Sequence, residues 1–258
     1  MRITVHSVGD GLCISLIHDN GTTMLWGCGH NDRNKPSDFL SKIGVNTIDA
    51  LFITNFNKNH ISDLPNLFSK FHIQAMFQND SISVSQLQAL KIKQSGEISI
   101  PTKCMLDMMR TYSRMEETPP SLLEVNYKLF YNEYYYDFYD INNISLVTFL
   151  KCKGKCFLIP GNLEVSGWRR LLKKSHFKLA LQDVNVFIAS HNGRGIGYYP
   201  EVFNFCNPEV IVCSDSHIQC ATEEMTGIYK NHATGILFNN KKRYVLSTHK
   251  DGTICWYL

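Results

Sequence analysis

Apolar and polar positions alternate with a period of two at the start of the chain. Ile3, Val5 and Ser7 oppose Arg2, Thr4 and His6, and Gly9-Asp10-Gly11 then turns the chain. Residues 12–17 predict a second strand, Asp19-Asn20-Gly21 a hairpin turn, and residues 22–26 the returning strand. Pro36-Ser37-Asp38 opens a short helix with Phe39, Leu40 and Ile43 on one face, stopped by Gly44. Residues 48–54 form a continuous apolar run of the buried-strand type. A polar loop, 55–59, and a helix over 61–71 follow. From 73 to 139 the pattern is less regular, with helical spacing around 84–90 and again around 104–112. Residues 131–139 hold six aromatics in nine positions, read as a strand or loop on the core, or as a partner or base-stacking surface.

Regular patterning returns at 142. Strands over 144–150 and 156–159 flank the turn Lys153-Gly154. Residues 165–174 predict a helix with Trp168, Leu171 and Leu172 inside and Arg169, Arg170, Lys173 and Lys174 outside. A buried strand over 184–189 ends at Ser190-His191-Asn192-Gly193-Arg194-Gly195, a helix begins at 201–205, and 210–213 is a further buried strand. Residues 222–229 predict a helix capped by Thr222, and strands over 243–247 and 253–257 enclose a turn at 249–252. No repeat or linker interrupts the chain, which reads as one domain over 1–258. The order of elements predicts an α+β fold: an αββα four-layer sandwich of two mixed β-sheets packed face to face with helices outside. Polar, glycine-rich loops after the apolar strands would then gather at one edge, where chemistry would sit.

The 258 residues are 44% apolar and 19% charged, which supports a large core and excludes wholesale disorder. Nine cysteines, an odd number, lie mostly within apolar runs and read as free thiols of a reducing cytosol, so a cytoplasmic location is expected. Cys152 and Cys156 are close, but no second ligand pair accompanies them. No apolar run approaches the roughly 20 residues of a membrane helix, and the first residues read as a strand rather than a signal peptide. A net charge of +3 does not by itself imply nucleic acid. There is no G-x-S-x-G elbow and no G-x-x-x-x-G-K loop, so serine-nucleophile and phosphate-loop chemistry have no support.

The loop after the buried strand 48–54 carries the functional argument. In an extended loop, positions i, i+2 and i+4 point the same way, so Asn55, Asn57 and Asn59 are expected to share one side, with His60 at the helix start. With His, His and Asp in place of the three Asn, the loop would read H-x-H-x-D-H.

Here the sequence resembles the metallo-β-lactamase fold superfamily, and more narrowly the hydrolase-like domain of bacterial competence DNA-uptake proteins. Residues 8–14, VGDGLCI, are similar to the family's opening segment, and Leu25-Trp26-Gly27-Cys28-Gly29 stands where the family has L-I-D-x-G. Residues 40–54 resemble the run that leads into the metal loop, 142–147 (NNISLV) the N-x-x-S-L-V strand, and 158–164 (LIPGNLE) the segment L-x-T-G-D-x-E. Ser190-His191-Asn192-Gly193 stands for x-H-H-G, and 248–254 for T-x-x-D-G-x-I. Residues 73–139 are poorly matched.

The resemblance implies a metal site at positions where this chain departs from it. The metal-loop positions are Asn55, Asn57, Asn59 and His60; the bridging carboxylate is Asn162; an early Asp is Gly27; and the paired histidines are His191 and Asn192. Catalytic zinc needs about three protein ligands, and a neutral amide binds it weakly. Losing five ligands, each worth on the order of a few kcal/mol, would remove the roughly 10–16 kcal/mol of a tight zinc site. No catalytic residue and no metal cofactor are therefore expected. The pocket would be a satisfied internal network, or a neutral pocket holding a phosphate, sugar or base edge. A rearranged zinc or manganese site would recruit His60 and His191 with Asp63, His30 or His217, with Asp215 near the rim. The leading expectation is a non-catalytic interaction or structural subunit of a bacterial multi-protein system, with defence or DNA handling as the setting. Its partner would be a protein, met by Tyr134, Tyr135, Tyr136, Arg169, Arg170, Lys173 and Lys174, or by the basic turn at 241–243. The alternatives are a metal-dependent hydrolase or phosphodiesterase acting on nucleotides or nucleic acid, and, with the least support, a nucleic-acid-binding module.

Overall fold

Alternation along the strands decides which layer each apolar side chain enters. Val186 and Ile188 face one way and Phe187 the other; Val210 and Val212 are likewise separated from Ile211 and Cys213. The computed structural model describes residues 1–112, 122, 124–216 and 220–258, with the backbone alone over 220–223. Its first sheet holds β1 (Arg2–Val5), β2 (Ile14–Ile17), β3 (Thr23–Trp26), β4 (Ala50–Phe52), β5 (Met76–Phe77) and, from the far end of the chain, β12 (Ile254–Tyr257), in the order β12-β1-β2-β3-β4-β5. The second holds β6 (Val125–Phe130), β7 (Val147–Cys152), β8 (Lys155–Ile159), β9 (Val186–Ile188), β10 (Val210–Cys213) and β11 (Val245–Ser247), in the order β11-β10-β9-β8-β7-β6. Each sheet is antiparallel at one end and parallel at the other: β3, β4 and β5 run parallel, as do β8, β9, β10 and β11.

Three apolar clusters make the layers. The inner one joins the sheets through side chains such as Ile3, Leu16, Trp26 and Phe52 from the first and Leu150, Phe157, Ile188 and Val212 from the second. The first sheet's outer face is covered by α1 (Pro36–Lys42), α2 (Lys58–Ile61), α3 (Leu64–Lys70), α4 (Val84–Ser95) and α5 (Ile100–Tyr112), whose residues share a cluster with Leu25, Leu51 and Ile53. The second sheet's outer face meets α6 (Val165–Leu171), α7 (Ser175–Leu181) and α8 (Cys220–Lys230). Two mixed sheets face to face with helices outside is the expected αββα sandwich. Burying each large apolar side chain contributes about 1.5–3 kcal/mol, so the inner cluster fixes how the two strand edges meet.

Several boundaries differ from the sequence reading. The helix expected over 61–71 is two helices, because Pro65 lacks an N–H and suits a first turn, where α3 starts. The strand expected from 144 begins at Val147, since Asn142 to Ser145 form a turn. The helix expected over 165–174 stops at Leu171 and α7 follows it. In α1 only Leu40 of the three expected apolar contacts is buried, and Ile43 is exposed. Thr222 lies inside α8, which starts at Cys220, rather than at its cap. The turn at 249–252 is a helical turn, Thr248–Asp251, capped by the Ser247 hydroxyl. Cys152 belongs to the inner cluster and Cys156 to the outer one, so the sheet separates the two thiols and they cannot share a metal ion. Among the described residues no helix is long and apolar enough to cross a membrane.

Candidate functional site

Loops leaving the C-terminal ends of β3, β4, β8, β9 and β10 converge between the two sheets. In sheets with parallel strands this edge is where ligands bind, because backbone groups and polar loop residues are presented there. Here the convergence brings Gly27, Asn55, Asn57, Asn59, His60, Asn162, His191 and Asn192 into one polar seam.

His60 is its centre. The ring is fully buried, with Nε2 2.8 Å from Asn162 Oδ1 and Nδ1 3.0 Å from Thr54 Oγ1. An amide oxygen only accepts, so Nε2 carries the proton and Nδ1 accepts from the threonine hydroxyl. Burial holds the imidazole neutral, pushed down to about 4, although the bond to Asn162 pulls the other way.

Around it the amides bind protein. Asn55 donates through Nδ2 to the Ile141 carbonyl (2.9 Å) and to Ser145 Oγ (2.8 Å), and its Oδ1 accepts the Asn57 N–H (2.8 Å). Asn57 Nδ2 donates to Asn142 Oδ1 at 2.7 Å. Ser145 Oγ donates to the Asn142 carbonyl and accepts the Asn162 N–H at 3.0 Å. Asn59 and Asn192 both donate to the carbonyl of Asp10. The three loop Asn do not share one side as expected. Asn55 and Asn57 reach the turn before β7, whereas Asn59 lies within α2, where the two-residue period no longer holds, and reaches Asp10.

Backbone packs closely at three glycines of the seam. Gly27 has φ +66°, and a Cβ there would lie 2.5 Å from the Leu12 carbonyl oxygen and 3.3 Å from Thr54 Oγ1. A Cβ on Gly11 would lie 2.5 Å from the carbonyl of Asn59, which also crowds Gly29. A side chain at position 27 therefore requires backbone to move.

His191 is the exception. With Asn192 it occupies the left-handed region, at φ +52° and +59°, a strained pair tied to the loop after β8 by the His191 N–H bond to the Gly161 carbonyl at 3.1 Å. Its ring is 15% exposed, and the buried Nδ1 has no hydrogen-bond partner; Glu164 Oε1 stands 3.9 Å away. Burial first, then the Arg194 charge, lowers its pKa against the pull of Glu164.

Other proposed ligands lie elsewhere. Both Asp63 oxygens accept, from the Ser37 N–H and from Asn66 Nδ2, each at 2.7 Å, so this buried carboxylate serves the first turn of α1. His30 Nδ1 contacts the carbonyl of its neighbour Asn31. Asp215 Oδ1 is held by Ser247 Oγ and the His249 N–H, and burial raises its pKa. His217 lies outside the described residues. Among the described residues no group of three or more His, Cys, Asp or Glu is placed to hold a metal ion. With His60 bonded at both ring nitrogens by neutral partners, the donors present do not fit a two-metal centre. Thr54, Asn142, Ser145 and Asp10 belong to the seam but escaped the sequence reading. In the sequence, Asn142 and Ser145 stand out only as parts of a strand motif.

No family profile matches the sequence, and no curated protein does. Solved structures do. Igni18, a metallo hydrolase from the hyperthermophilic archaeon Ignicoccus hospitalis, matches over the whole of both chains at 12% identity and a TM-score of 0.53. YhfI from Bacillus subtilis, a metallo-β-lactamase fold protein, does so at 9% identity and 0.54. The chain has the metallo-β-lactamase fold. A variant of the CmlA β-hydroxylase matches at 9% identity and a TM-score of 0.56, the chain spanning 54% of that longer protein. At such identities the likeness establishes the metallo-β-lactamase fold alone, and the function must be argued from the seam.

Proposed function

We propose that this chain is a non-catalytic member of the metallo-β-lactamase fold, an interaction or structural subunit whose strand-end seam holds the two sheets together. The observation that carries this reading is the His60–Asn162 hydrogen bond across the seam, with the second His60 nitrogen held by Thr54. A hydrolytic metal needs deprotonated, free donors; here an imidazole, amides and a serine hydroxyl use one another. Gly27, packed against the Leu12 carbonyl, supports the same conclusion, since an anionic ligand has no room there. A bacterial setting in defence or DNA handling is part of this proposal and rests on the motif resemblance alone.

The test is metal analysis of the purified protein, with equilibrium dialysis against zinc and manganese and a phosphodiester assay on bis-p-nitrophenyl phosphate. The expected result is substoichiometric metal that His60→Ala and His191→Ala leave unchanged, and no turnover sensitive to chelation. Near-stoichiometric metal that both substitutions remove, with turnover lost to chelator, would overturn the proposal in favour of the hydrolase.

A further inference from the structure

β6 is the outermost strand of the second sheet. β7 bonds one of its edges; on the other the Val125 N–H donates to the Leu122 carbonyl at 3.2 Å, and from Tyr127 on no strand pairs with it among the described residues. An edge strand presents a row of backbone N–H and C=O groups to which an extended chain can add. Tyr127 and Leu129 of β6 lean on the inner cluster, while Asn126 and Lys128 are exposed on the opposite side.

A groove lies at the C-terminal end of this edge. Its larger part, of about 530 Å³, is lined by Lys128, Phe130, Tyr131, Lys174 and His176 among others; a smaller part, of about 260 Å³, shares Lys128 but lies on the sheet's outer face, over Phe149, Cys156 and Ala180. The His176 ring stacks on Phe130 at 5.4 Å, which gives the floor an aromatic surface. Past Tyr131 the chain enters the tyrosine-rich loop, where Tyr135 and Tyr136 are 67% and 78% exposed and the Arg170 guanidinium lies 6.0 Å from the Tyr136 ring centre.

Charge selects the occupant. In the smaller part Lys151 is neutralised by Asp183 at 3.3 Å. In the larger part Lys128 and Lys174 make no ion pair among the described residues, Lys174 donating instead to the Tyr131 carbonyl at 3.2 Å. Of the described residues lining that part, Glu133 alone is acidic. A second copy is a poor occupant, because two antiparallel β6 edges would bring their Lys128 side chains close together. We infer that β6 and its groove take an extended acidic segment of a partner protein as an added strand, with carboxylates two residues apart facing Lys128 and Lys174. The inference rests on the interaction reading proposed above. It names the face that a partner uses and the chemistry of that partner.

A fluorescent eight-residue peptide of alternating Glu and Thr tests this, beside its Lys and Thr counterpart, by anisotropy and by amide shifts of the labelled full chain. The acidic peptide is expected to bind and to shift the amides of Val125–Phe130. Affinity should fall at least about tenfold in Lys128→Glu/Lys174→Glu, and should weaken as salt rises from about 50 to 500 mM. The doubly substituted chain should instead take the basic peptide, and an unchanged melting curve would confirm that it is folded. Equal affinity for both peptides, or no shift of the β6 amides at millimolar peptide, would overturn the inference. So would a dimer built through β6 that the double variant retains. A metal-loaded, hydrolytic chain would end the non-catalytic reading without altering this binding result, so the two failures can be told apart.

Discussion

The seam at the strand ends and the edge at β6 are both polar, and they differ in how their polar groups are used. In the seam, Asn55 makes three hydrogen bonds and Ser145 three, all to protein atoms. Along β6, Lys128 makes no ion pair, and beyond the Leu122–Val125 bridge no strand pairs with the outer edge, among the described residues. Buried polar groups must pair or carry a desolvation penalty, and a seam that pairs internally has little left to offer a ligand. An exposed edge keeps its bonding capacity because water satisfies it in the meantime. The contrast directs the search for function away from the place where the fold usually puts chemistry.

The sharpest way to break this contrast is acid. His6 and His60 are both buried and held neutral, each pushed down to about 4, His6 by burial and the nearby Arg2 charge. Between the unfolded value of roughly 6.5 and about 4, the unfolded chain binds protons that the folded chain refuses. Stability is therefore full above pH 6.5 and falls as pH drops, by on the order of 3 kcal/mol per histidine by pH 4. Urea midpoints from pH 7 to pH 4 would measure it, and His60→Gln should flatten part of the slope. A pH-independent midpoint would mean that the seam is open to water.

Restoring a carboxylate comes next. Gly27→Asp should cost about 2 kcal/mol or more, from left-handed strain and contact with the Leu12 carbonyl. If that variant melts like the parent and takes up zinc, the seam is not closed. Asn162→Ala strands His60 Nε2 and should lower the urea-derived stability by about 2 kcal/mol, while Asn162→Asp should not create a metal site on its own. The smallest effects belong to the edge: Lys128→Glu or Tyr136→Ser should change stability by less than about 0.5 kcal/mol while changing binding. A large loss of stability there would show that the edge is structural.

Legibility followed physical cause. Residues 210–213 were readable as a strand because an unbroken apolar run can only be buried on both faces. β6 was not, although Val125, Tyr127 and Leu129 alternate with Asn126 and Lys128 as in a half-buried strand, because so short a signal sits in the least regular stretch of the chain. The candidate positions Asn55, His60, Asn162 and His191 were found through the motif they replace. Thr54, Ser145 and Asp10 were missed because nothing local sets a hydroxyl or a turn carbonyl apart from its neighbours. Likewise Asp63, an attractive ligand by position, serves the start of α1, and only the packing of α1 on α3 places it there.

What the chain by itself determined was the layering: period-two and period-three-to-four patterns specify which faces are apolar, and apolar faces must meet. What only the tertiary structure decided was the use of each polar side chain. Hydrogen bonds such as His60 to Asn162 join residues 102 positions apart, and no local pattern encodes a partner that folding alone brings within 3 Å.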